Sequence, residues 1–399
     1  MTDLDPRIFA YREDLAAASL RDRVRAPRYS EGEMRQVAAS SAQIRVSPKF
    51  DAPLGTEALS GELVTVYDIR DGWAWVQLRE DAYVGYTTLD CLSAVVEENT
   101  HRVSARLTYL YSAPDIKRLP ITKLSFSSTV APIRKPDGRF FELSRGGFIF
   151  ADHLVGIRER ARDCVRVAER MVGVPYVWGG KTSLGIDCSA LVQISLQAAG
   201  VPFPRDTDMQ MGAPGEPIDP SNLDAIQRGD LLFWQGHVAI AQSPDWMIHA
   251  SGHHMEVVVE QIRRAVERTA ESHGPLLAIL RPQLEPKAAP AQAPAGQQSA
   301  APDKAAQLRL VHAIHAAKEA QAGAQAQATA FGKPEQAALA AKQEKQQQPA
   351  AAARLAVVPK PANKDAAAAP SAPGPQSKNA PASEKGAGQA SATQETPSR

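Results

Sequence analysis

Residues 185–193, G-I-D-C-S-A-L-V-Q, decide the fold of the region around them. They place Cys188 between Asp187 and Ser189, after the string Y-V-W-G-G at 176–180 and at the start of a mostly apolar run. An aspartate followed by such a run is typical of a helix start, so we expect Cys188 in or near the first turn of a helix. The positive end of the helix dipole and the N–H groups there favour a thiolate, which predicts a lowered thiol pKa.

Two histidines follow in apolar, strand-like runs: His237 in G-H-V-A-I-A and His249 in M-I-H-A-S. A thiol at a helix start, then a histidine, then a second polar ring on the next strand is the chain order of a papain-like cysteine hydrolase. His237 is predicted to be the base, and His249 its orienting partner on the neighbouring antiparallel strand. A lone histidine on an apolar strand is more often a buried core residue than a catalytic one. The second histidine on the next strand favours the catalytic interpretation of His237. His253 and His254 compete for either role but stand in a turn-like S-G-H-H.

The other two cysteines, Cys91 and Cys164, are interpreted as structural. Three cysteines form no even disulfide framework and no paired metal-ligand spacing. Zinc-binding atoms are offered by Cys188, His237, His249, His253 and His254, but their spacing is not a recognised ligand pattern and an acidic catalytic partner is missing. We therefore expect no metal and no cofactor.

Composition divides the chain near residue 285. The 115 residues beyond that point are dominated by Ala, Pro, Gln, Lys and Ser, and Phe331 is their only aromatic residue. Such a segment cannot bury enough apolar surface to offset the entropy of ordering it, so we predict disorder over 285–399, with a transient helix around 305–318. The formal net charge of the whole chain is +1, which argues against nucleic acid as a partner.

The N-terminal residues, M-T-D-L-D-P-R-I-F-A, lack the basic and apolar regions of a secretory signal. No stretch approaches 18 uninterrupted apolar residues, so we expect no segment that spans a membrane. Together with the cysteine usage, these features predict a cytoplasmic location. The sequence leaves the oligomeric state open.

Five segments are predicted along the chain. Apolar positions at roughly helical spacing mark an N-terminal arm, and short strands between turn signals indicate two small antiparallel barrels, the second with a K-P-D-G hairpin signal at 135–138. A nucleophile-bearing helix followed by an antiparallel sheet indicates an α+β domain. The segments are the arm at 1–35, the barrels at 36–98 and 99–155, the α+β domain at 156–284 and the tail at 285–399.

The motif set resembles that of the NlpC/P60-type cell-wall cysteine peptidases. The similarity covers roughly 160–282 and includes V-A-E-R-M-V-G-V-P-Y-V-W-G-G, G-I-D-C-S-A-L-V-Q, P-R-D-T-D-M-Q, R-G-D-L-L-F-W-Q-G-H-V-A-I and M-I-H-A-S. The resemblance implies a papain-like catalytic domain in which Cys188 is the nucleophile, His237 the base and His249 the third polar residue. It also implies that Tyr176 lines the cleft and helps to hold an oxyanion. Three further positions are implied to contact substrate: Asp187, Ser189 and Trp178.

The upstream barrels resemble the bacterial SH3-like modules that accompany a subset of these enzymes. In that subset the first barrel closes one end of the cleft, and the enzyme cuts free muropeptides with an unblocked N-terminal L-Ala. The string D-A-Y-V-G-Y-T then implies that Tyr83 enters the cleft, although a barrel-core role is the alternative. The string L-S-G-E-L-V-T-V implies that Glu62 pairs with the substrate ammonium, with Glu57 as a competitor and an exposed strand-start charge as the alternative.

The string P-R-D-T-D-M-Q matches another segment near the cleft of that family. Thr207 is implied to contact the peptide, whereas Arg205 and Asp206 are expected to hold the loop. The leading hypothesis is a cysteine endopeptidase that hydrolyses the γ-D-glutamyl–diamino acid bond of peptidoglycan-derived peptides. The alternatives are a non-catalytic peptide- or wall-binding protein, and an amidase or acyltransferase on the same scaffold.

Overall fold

The computed structural model describes residues 4–133 and 138–284. The predicted tail at 285–399, with its transient helix at 305–318, lies outside the described residues, as does most of the K-P-D-G hairpin signal. In chain order, the described residues form an N-terminal segment, two β-rich units and an α+β domain. None of the helices within these ranges is long and apolar enough to cross a bilayer.

The N-terminal segment forms a three-stranded sheet, so the helix suggested by its apolar spacing is wrong. Its strands are β1 (Tyr11–Arg12), β2 (Leu15–Ala17) and β3 (Arg28–Ser30), and Ala18–Leu20 form a 3₁₀ turn. β2 pairs antiparallel with β1 and parallel with β3, and all of its residues are buried. The sheet packs against Trp75 of the following unit, and this burial outweighs the helix propensity of leucine and alanine.

The first barrel comprises seven strands, β4 (Glu33–Val37), β5 (Ser41–Arg45), β6 (Leu54–Leu59), β7 (Leu63–Arg70), β8 (Trp73–Leu78), β9 (Val84–Thr88) and β10 (Leu92–Ser93). They form one antiparallel sheet in the order β10-β4-β7-β8-β9-β5-β6. In β7 the buried residues Val64 and Val66 alternate with more exposed neighbours, the period-2 pattern of a strand with one face on a core. The predicted barrel is therefore present, and its first strand begins slightly before the expected boundary at residue 36.

The second β-domain comprises β11 (His101–Val103), β12 (Leu107–Tyr111), β13 (Pro120–Ser125), β14 (Thr129–Val130), β15 (Phe140–Glu142), β16 (Phe148–Phe150) and β17 (Leu154–Gly156). These strands form a three-stranded sheet, β14-β11-β17, and a four-stranded sheet, β13-β12-β16-β15. Val103, Leu124 and Ile149 are buried in the core that the two sheets share. An all-β unit is thus present where the second barrel was expected.

The α+β domain contains the helices α1 (Cys164–Glu169), α2 (Cys188–Ala198), α3 (Thr207–Met211) and α4 (Ile262–His273). Its strands are β18 (Lys181–Thr182), β19 (Gly185–Ile186), β20 (Gly215–Ile218), β21 (Leu231–Trp234), β22 (His237–Ala241), β23 (Trp246–Ser251), β24 (Glu256–Gln261) and β25 (Ala278–Pro282). The six longer strands form a sheet in the order β20-β25-β21-β22-β23-β24. The predicted nucleophile-bearing helix and the strands of His237 and His249 are confirmed, whereas α3, β18, β19 and β20 were not predicted.

Helix α2 is buried against this sheet. Leu191 and Ile194 on the helix pack with Val238 and Ile248 on the strands in one core. The opposite face of the sheet packs against Ile262 and other residues of α4 in a second core. This sandwich fixes the first turn of α2 beside the start of β22, which brings the predicted nucleophile and base to the same place.

Candidate active site

Cys188 is the first residue of α2, as the sequence predicts. Asp187 caps the helix, because its Oδ1 accepts the backbone N–H of Ala190 at 2.8 Å. The thiol donates to the carbonyl oxygen of Gly236 at 4.0 Å, and the sulfur also accepts the backbone N–H of Val238. The sulfur is therefore held against the backbone on both sides of His237.

The thiol of Cys188 is hard to ionise on its own. Burial, reinforced by the Asp187 carboxylate, raises its pKa to about 11, even though the N–H of Val238, the charge of Arg205 and the hydroxyl of Thr207 each lower it. The lowered pKa expected from the helix start is thus wrong for the resting thiol, because desolvation outweighs the favourable helix end. Such a thiol is protonated at neutral pH and needs a base to remove its proton during attack.

Three polar side chains form a hydrogen-bonded row beside this thiol. Nε2 of His237 lies 2.8 Å from Nδ1 of His249, and Nε2 of His249 lies 2.7 Å from Oε2 of Glu260. Arg268 of α4 donates to the same Oε2 at 2.6 Å. His237 and His249 are both buried, so the hydrogen bond between the two rings is shielded from water, whereas Glu260 and Arg268 are partly exposed. The pairing of the two rings agrees with the prediction, while Glu260 and Arg268 were missed.

Strand register explains how the row is built. Ile240 lies opposite Ile248, and continuing this register makes His237 and His249 diagonal neighbours on one face of the sheet. His249 lies opposite Val258 on β24, so Glu260, two residues further on, points to the same face. The sequence contains a signal for this residue, because Glu260 is an acidic residue 11 positions after His249 and strand alternation places both on one face.

The competing histidines lie outside the pair of rings. His254 is exposed and its Nδ1 lies 3.1 Å from the hydroxyl of Ser251, while the ring of His253 packs edge-on against that of His254. Ligand atoms of His249, His254 and Glu260 lie within 4.8 Å of one another, the one such group found among the described residues. The direct bond between His249 and Glu260, and the Arg268 guanidinium on that carboxylate, already account for these atoms.

A cleft of about 500 Å³ opens beside Cys188, between the α+β domain and the first barrel. Seven of the predicted site residues line it: Tyr83, Tyr176, Trp178, Asp187, Cys188, Ser189 and Thr207. Burial, followed by Cys188 in its thiolate form and by the Asp187 carboxylate, raises the pKa of Tyr176, so its phenol stays protonated. Trp178 is 68% exposed and forms an open wall of the cleft.

Asp187 and Ser189 are tied to a buried guanidinium. Arg205 donates to Oδ2 of Asp187 at 2.7 Å, to the hydroxyl of Ser189 at 2.7 Å and to the hydroxyl of Thr56 in the first barrel at 2.8 Å. Oδ2 of Asp187 also accepts the backbone N–H of Gly179 at 2.9 Å. These bonds give Asp187 and Arg205 a structural function in fixing the loop before the nucleophile, as the sequence suggested for Arg205.

The barrel side of the cleft is acidic. Oδ2 of Asp206 accepts the phenol of Tyr83 at 3.3 Å and Nη1 of Arg7 at 2.9 Å. Arg7 also bonds to Asp5 and Asp208, so one cation is shared among three carboxylates. Tyr83 both packs in the barrel core and lines the cleft, which unites its two predicted roles. Asp206, expected only to hold its loop, faces the cleft.

Glu62 does not line the cleft, so its predicted position is wrong. Its Oε1 accepts Nζ of Lys181 at 3.0 Å in a buried ion pair between the barrel and the α+β domain. Glu57, its competitor, is also buried and accepts the backbone N–H of Lys181 at 2.9 Å. Both acids therefore bind the loop that follows Gly180. A glutamate at the start of a strand is expected to face solvent or substrate when the sequence around it shows no cationic partner. Lys181, the partner of Glu62, is 119 residues away in the sequence.

Comparison with known proteins agrees with this geometry. Residues 173–271 match the model of the NlpC/P60 family. This segment therefore contains an NlpC/P60 domain. Residues 44–92, within the first barrel, match the model of the bacterial dipeptidyl-peptidase Sh3 domain. The NlpC/P60 match contains every residue of the row and the Sh3 match contains Tyr83, so the cleft lies between two recognised modules.

Two curated relatives are similar to about half of this chain. The chain is 26% identical over 238 residues to "Dipeptidyl-peptidase 6" of Lysinibacillus sphaericus, a match that covers 54% of this chain and 86% of the relative. It is 28% identical over 200 residues to "Gamma-D-glutamyl-L-lysine dipeptidyl-peptidase" of Bacillus subtilis, covering 46% of this chain and 65% of that protein. An NlpC/P60 family protein from Bacillus cereus shares the fold with a TM-score of 0.53 and 20% identity, over 62% of this chain and 99% of that one.

Proposed function

We propose that this cysteine peptidase hydrolyses the γ-D-glutamyl–diamino acid bond of peptidoglycan-derived peptides that carry a free N-terminal L-Ala. One observation carries the proposal: a single cleft contains the thiol of Cys188 and, toward the first barrel, the carboxylate of Asp206. A γ-linked peptide with a free amino end offers an ammonium for the carboxylate and a carbonyl for the thiol. The relatives named as dipeptidyl-peptidases, one of them for the γ-D-glutamyl-L-lysine bond, support this substrate class.

The chemistry follows from the row of hydrogen bonds. His237 removes the proton of the Cys188 thiol, and the sulfur attacks the γ-carbonyl carbon to form a tetrahedral oxyanion. The backbone N–H of Cys188 and the phenol of Tyr176 hold that oxyanion. His237 then gives the proton to the leaving amine, which departs as the carbon–nitrogen bond breaks and leaves a thioester. Water, deprotonated by His237, hydrolyses the thioester and restores the thiol.

Recognition of the free amino end belongs to Asp206 in this proposal. Asp206 takes the role that the resemblance implied for Glu62, because Asp206 lines the cleft and Glu62 is bonded to Lys181. Tyr83 donates to Asp206 and holds the carboxylate in place. Leu54 and Gly55 of the first barrel also line this side. An acetylated N-terminus carries no ammonium and so cannot form the ion pair with Asp206.

The test is an assay of the purified protein on L-Ala-γ-D-Glu-meso-diaminopimelate with a free or an acetylated N-terminus. We expect release of the diamino acid from the free peptide and at least a tenfold lower kcat/KM for the acetylated one. Cys188→Ala should reduce kcat by about 10⁶-fold, the scale on which loss of a nucleophile acts in related mechanisms. Equal cleavage of both peptides would contradict the proposed recognition, and undiminished turnover by Cys188→Ala would contradict the proposed chemistry.

A further inference from the structure

The row of hydrogen bonds does not end at the second histidine. His249 is 2% exposed, and its outer nitrogen is bonded to a carboxylate that α4 holds from the other side. Glu260 is the residue that connects the two rings to Arg268. It does not line the cleft, so it acts on the reaction only through the histidines.

The protons of this row can be assigned from its acidic end. Burial by itself would raise the pKa of Glu260, but the hydrogen bonds from His249 and Arg268 outweigh it and lower that pKa to about 2. Glu260 is therefore ionised and only accepts hydrogen bonds. Nε2 of His249, at 2.7 Å from this carboxylate, must then carry a proton.

The same reasoning continues to the next ring. Burial lowers the pKa of His249, so this ring is neutral at neutral pH and has one N–H. Because that N–H is at Nε2, Nδ1 of His249 is an acceptor, and Nε2 of His237 must donate to it across 2.8 Å. In a neutral His237 the basic atom is consequently Nδ1.

We propose that Glu260 is a positioning residue of this active site, whose carboxylate fixes the tautomers of both histidines so that Nδ1 of His237 takes the proton of Cys188. The inference rests on the proposed function in one respect, the assignment of His237 as the base. The negative charge of Glu260 also favours the imidazolium that forms when the thiolate is made, as a carboxylate does in a serine hydrolase triad. The active site is thus a row of four residues: Cys188, His237, His249 and Glu260.

Other charged groups face this row and also influence the ionisation of His249 and Cys188. Arg268 from α4 and His254 from the turn before β24 face His249, and both oppose its protonation. Asp187 and Arg205 face the thiol with opposite signs. All of these remain in a Glu260 variant, so a change in the pH profile of that variant reports the lost carboxylate.

The first experiment measures alkylation of Cys188 by iodoacetamide as a function of pH, which reports thiolate formation with no peptide present. In Glu260→Gln, the amide offers His249 an N–H in place of the carboxylate, which favours the reversed tautomer and a protonated Nδ1 on His237. We expect alkylation at pH 7 to fall about 10- to 100-fold, by analogy with the loss found when the hydrogen-bond partner of a metal-bound histidine is removed. The inflection on the acidic side of the profile should move to higher pH.

Glu256→Gln is the matched control, since Glu256 is an exposed glutamate at the other end of the same strand. Its alkylation profile should equal that of the wild type. Glu260→Asp keeps the charge and should retain more reactivity than Glu260→Gln. In the peptide assay, kcat of Glu260→Gln should fall while KM stays within about twofold, because Glu260 does not contact substrate. A Glu260→Gln profile that matches those of wild type and Glu256→Gln would overturn the proposal.

A measurement on the unmodified protein covers the case in which Glu260→Gln does not fold. With ¹⁵N-labelled histidine, NMR shifts distinguish a protonated from an unprotonated ring nitrogen. We expect His249 to be protonated at Nε2 only, and His237 to be protonated at Nε2 and unprotonated at Nδ1. The opposite tautomer on His249 would refute the assignment. Neither the alkylation profile nor the NMR shifts involve a substrate. Failure of the proposed peptide specificity can therefore be distinguished from failure of this inference.

Discussion

The first barrel and the second β-domain follow each other in the chain, yet they contact the α+β domain in different ways. The first barrel sends polar side chains into the loop before the nucleophile and into the cleft: Thr56, Glu57, Glu62 and Tyr83. The second β-domain contributes Phe126 to the buried core of the α+β domain and bonds its backbone to Ser183. Among the described residues that line the cleft, none comes from it.

Two similar all-β units can therefore have different roles in one protein, one in forming the cleft and one in supporting the fold. Gly179 shows how close the first barrel comes to the active site. Its φ is +75°, and a Cβ there would lie 2.5 Å from the carbonyl oxygen of Leu54, so only glycine fits between the loop and the barrel. The first barrel is therefore part of the enzyme's cleft, while the second supports the α+β domain from outside it.

The largest effect is expected from breaking the buried ion pair between the first barrel and the α+β domain. Lys181→Met leaves the Glu62 carboxylate buried without its cation, which should lower the free energy of unfolding by about 3–5 kcal/mol. Chemical denaturation checks this value. The matched change at the second β-domain is Arg170→Ala, which removes an exposed hydrogen bond to the carbonyl of Ser104 and should cost about 1 kcal/mol or less. Equal effects would remove the distinction between the two contacts.

A smaller effect is expected at the acidic side of the cleft. Asp206→Asn removes a charge-assisted bond to the substrate ammonium, worth about 1.5–3 kcal/mol, so kcat/KM on the free peptide should fall about 10- to 100-fold. Turnover of the acetylated peptide should change little, and the preference for the free amino end should disappear. A preserved preference would assign recognition of the amino end to another residue.

Binding of the free amino end by Asp206 should depend on pH in a definite direction. Burial raises the pKa of Asp206, although Arg205 and Arg7 oppose that rise. Because the ionised carboxylate binds the ammonium, KM for the free peptide should increase as the pH falls through this raised pKa. In Asp206→Asn that increase should be absent.

The smallest effect is expected at Tyr83, the barrel residue that touches Asp206. Tyr83→Phe removes one neutral hydrogen bond at 3.3 Å, so kcat/KM for the free peptide should fall about 2- to 10-fold. Tyr109→Phe, an exposed tyrosine of the second β-domain, serves as the matched control and should leave the kinetics unchanged. A loss of the same size in both variants would show that the first barrel has no special role in substrate binding.

Much of the α+β domain could be predicted from local patterns. The apolar runs around His237 and His249 are long enough to define their strands, and the capping aspartate defines the start of α2. The pairing of the two rings followed from strand spacing. The relation of Leu15–Ala17 to the barrel could not be predicted, because its burial depends on residues far along the chain.

The charged residues show where such prediction stops. The residues around Glu62 in the sequence do not reveal that Lys181, 119 residues later, forms an ion pair with it. Glu260 was within reach of the pattern, since the strand alternation places it on the face of His249. The thiol pKa was misjudged because burial of Cys188 is a property of the assembled domain. Long-range partners and desolvation, which local patterns do not encode, decide the cases of Glu62 and Cys188.

The central claim is that an imidazole makes the buried sulfur of Cys188 reactive. Iodoacetamide labelling of the wild type and His237→Ala between pH 6 and 11, with the labelled cysteine identified by mass spectrometry, tests it most directly. We predict that Cys188 of the wild type is labelled at neutral pH, and that His237→Ala reacts only as the pH approaches about 11, where the isolated buried thiol ionises. Identical profiles for the two proteins, or labelling confined to Cys91, would contradict the account.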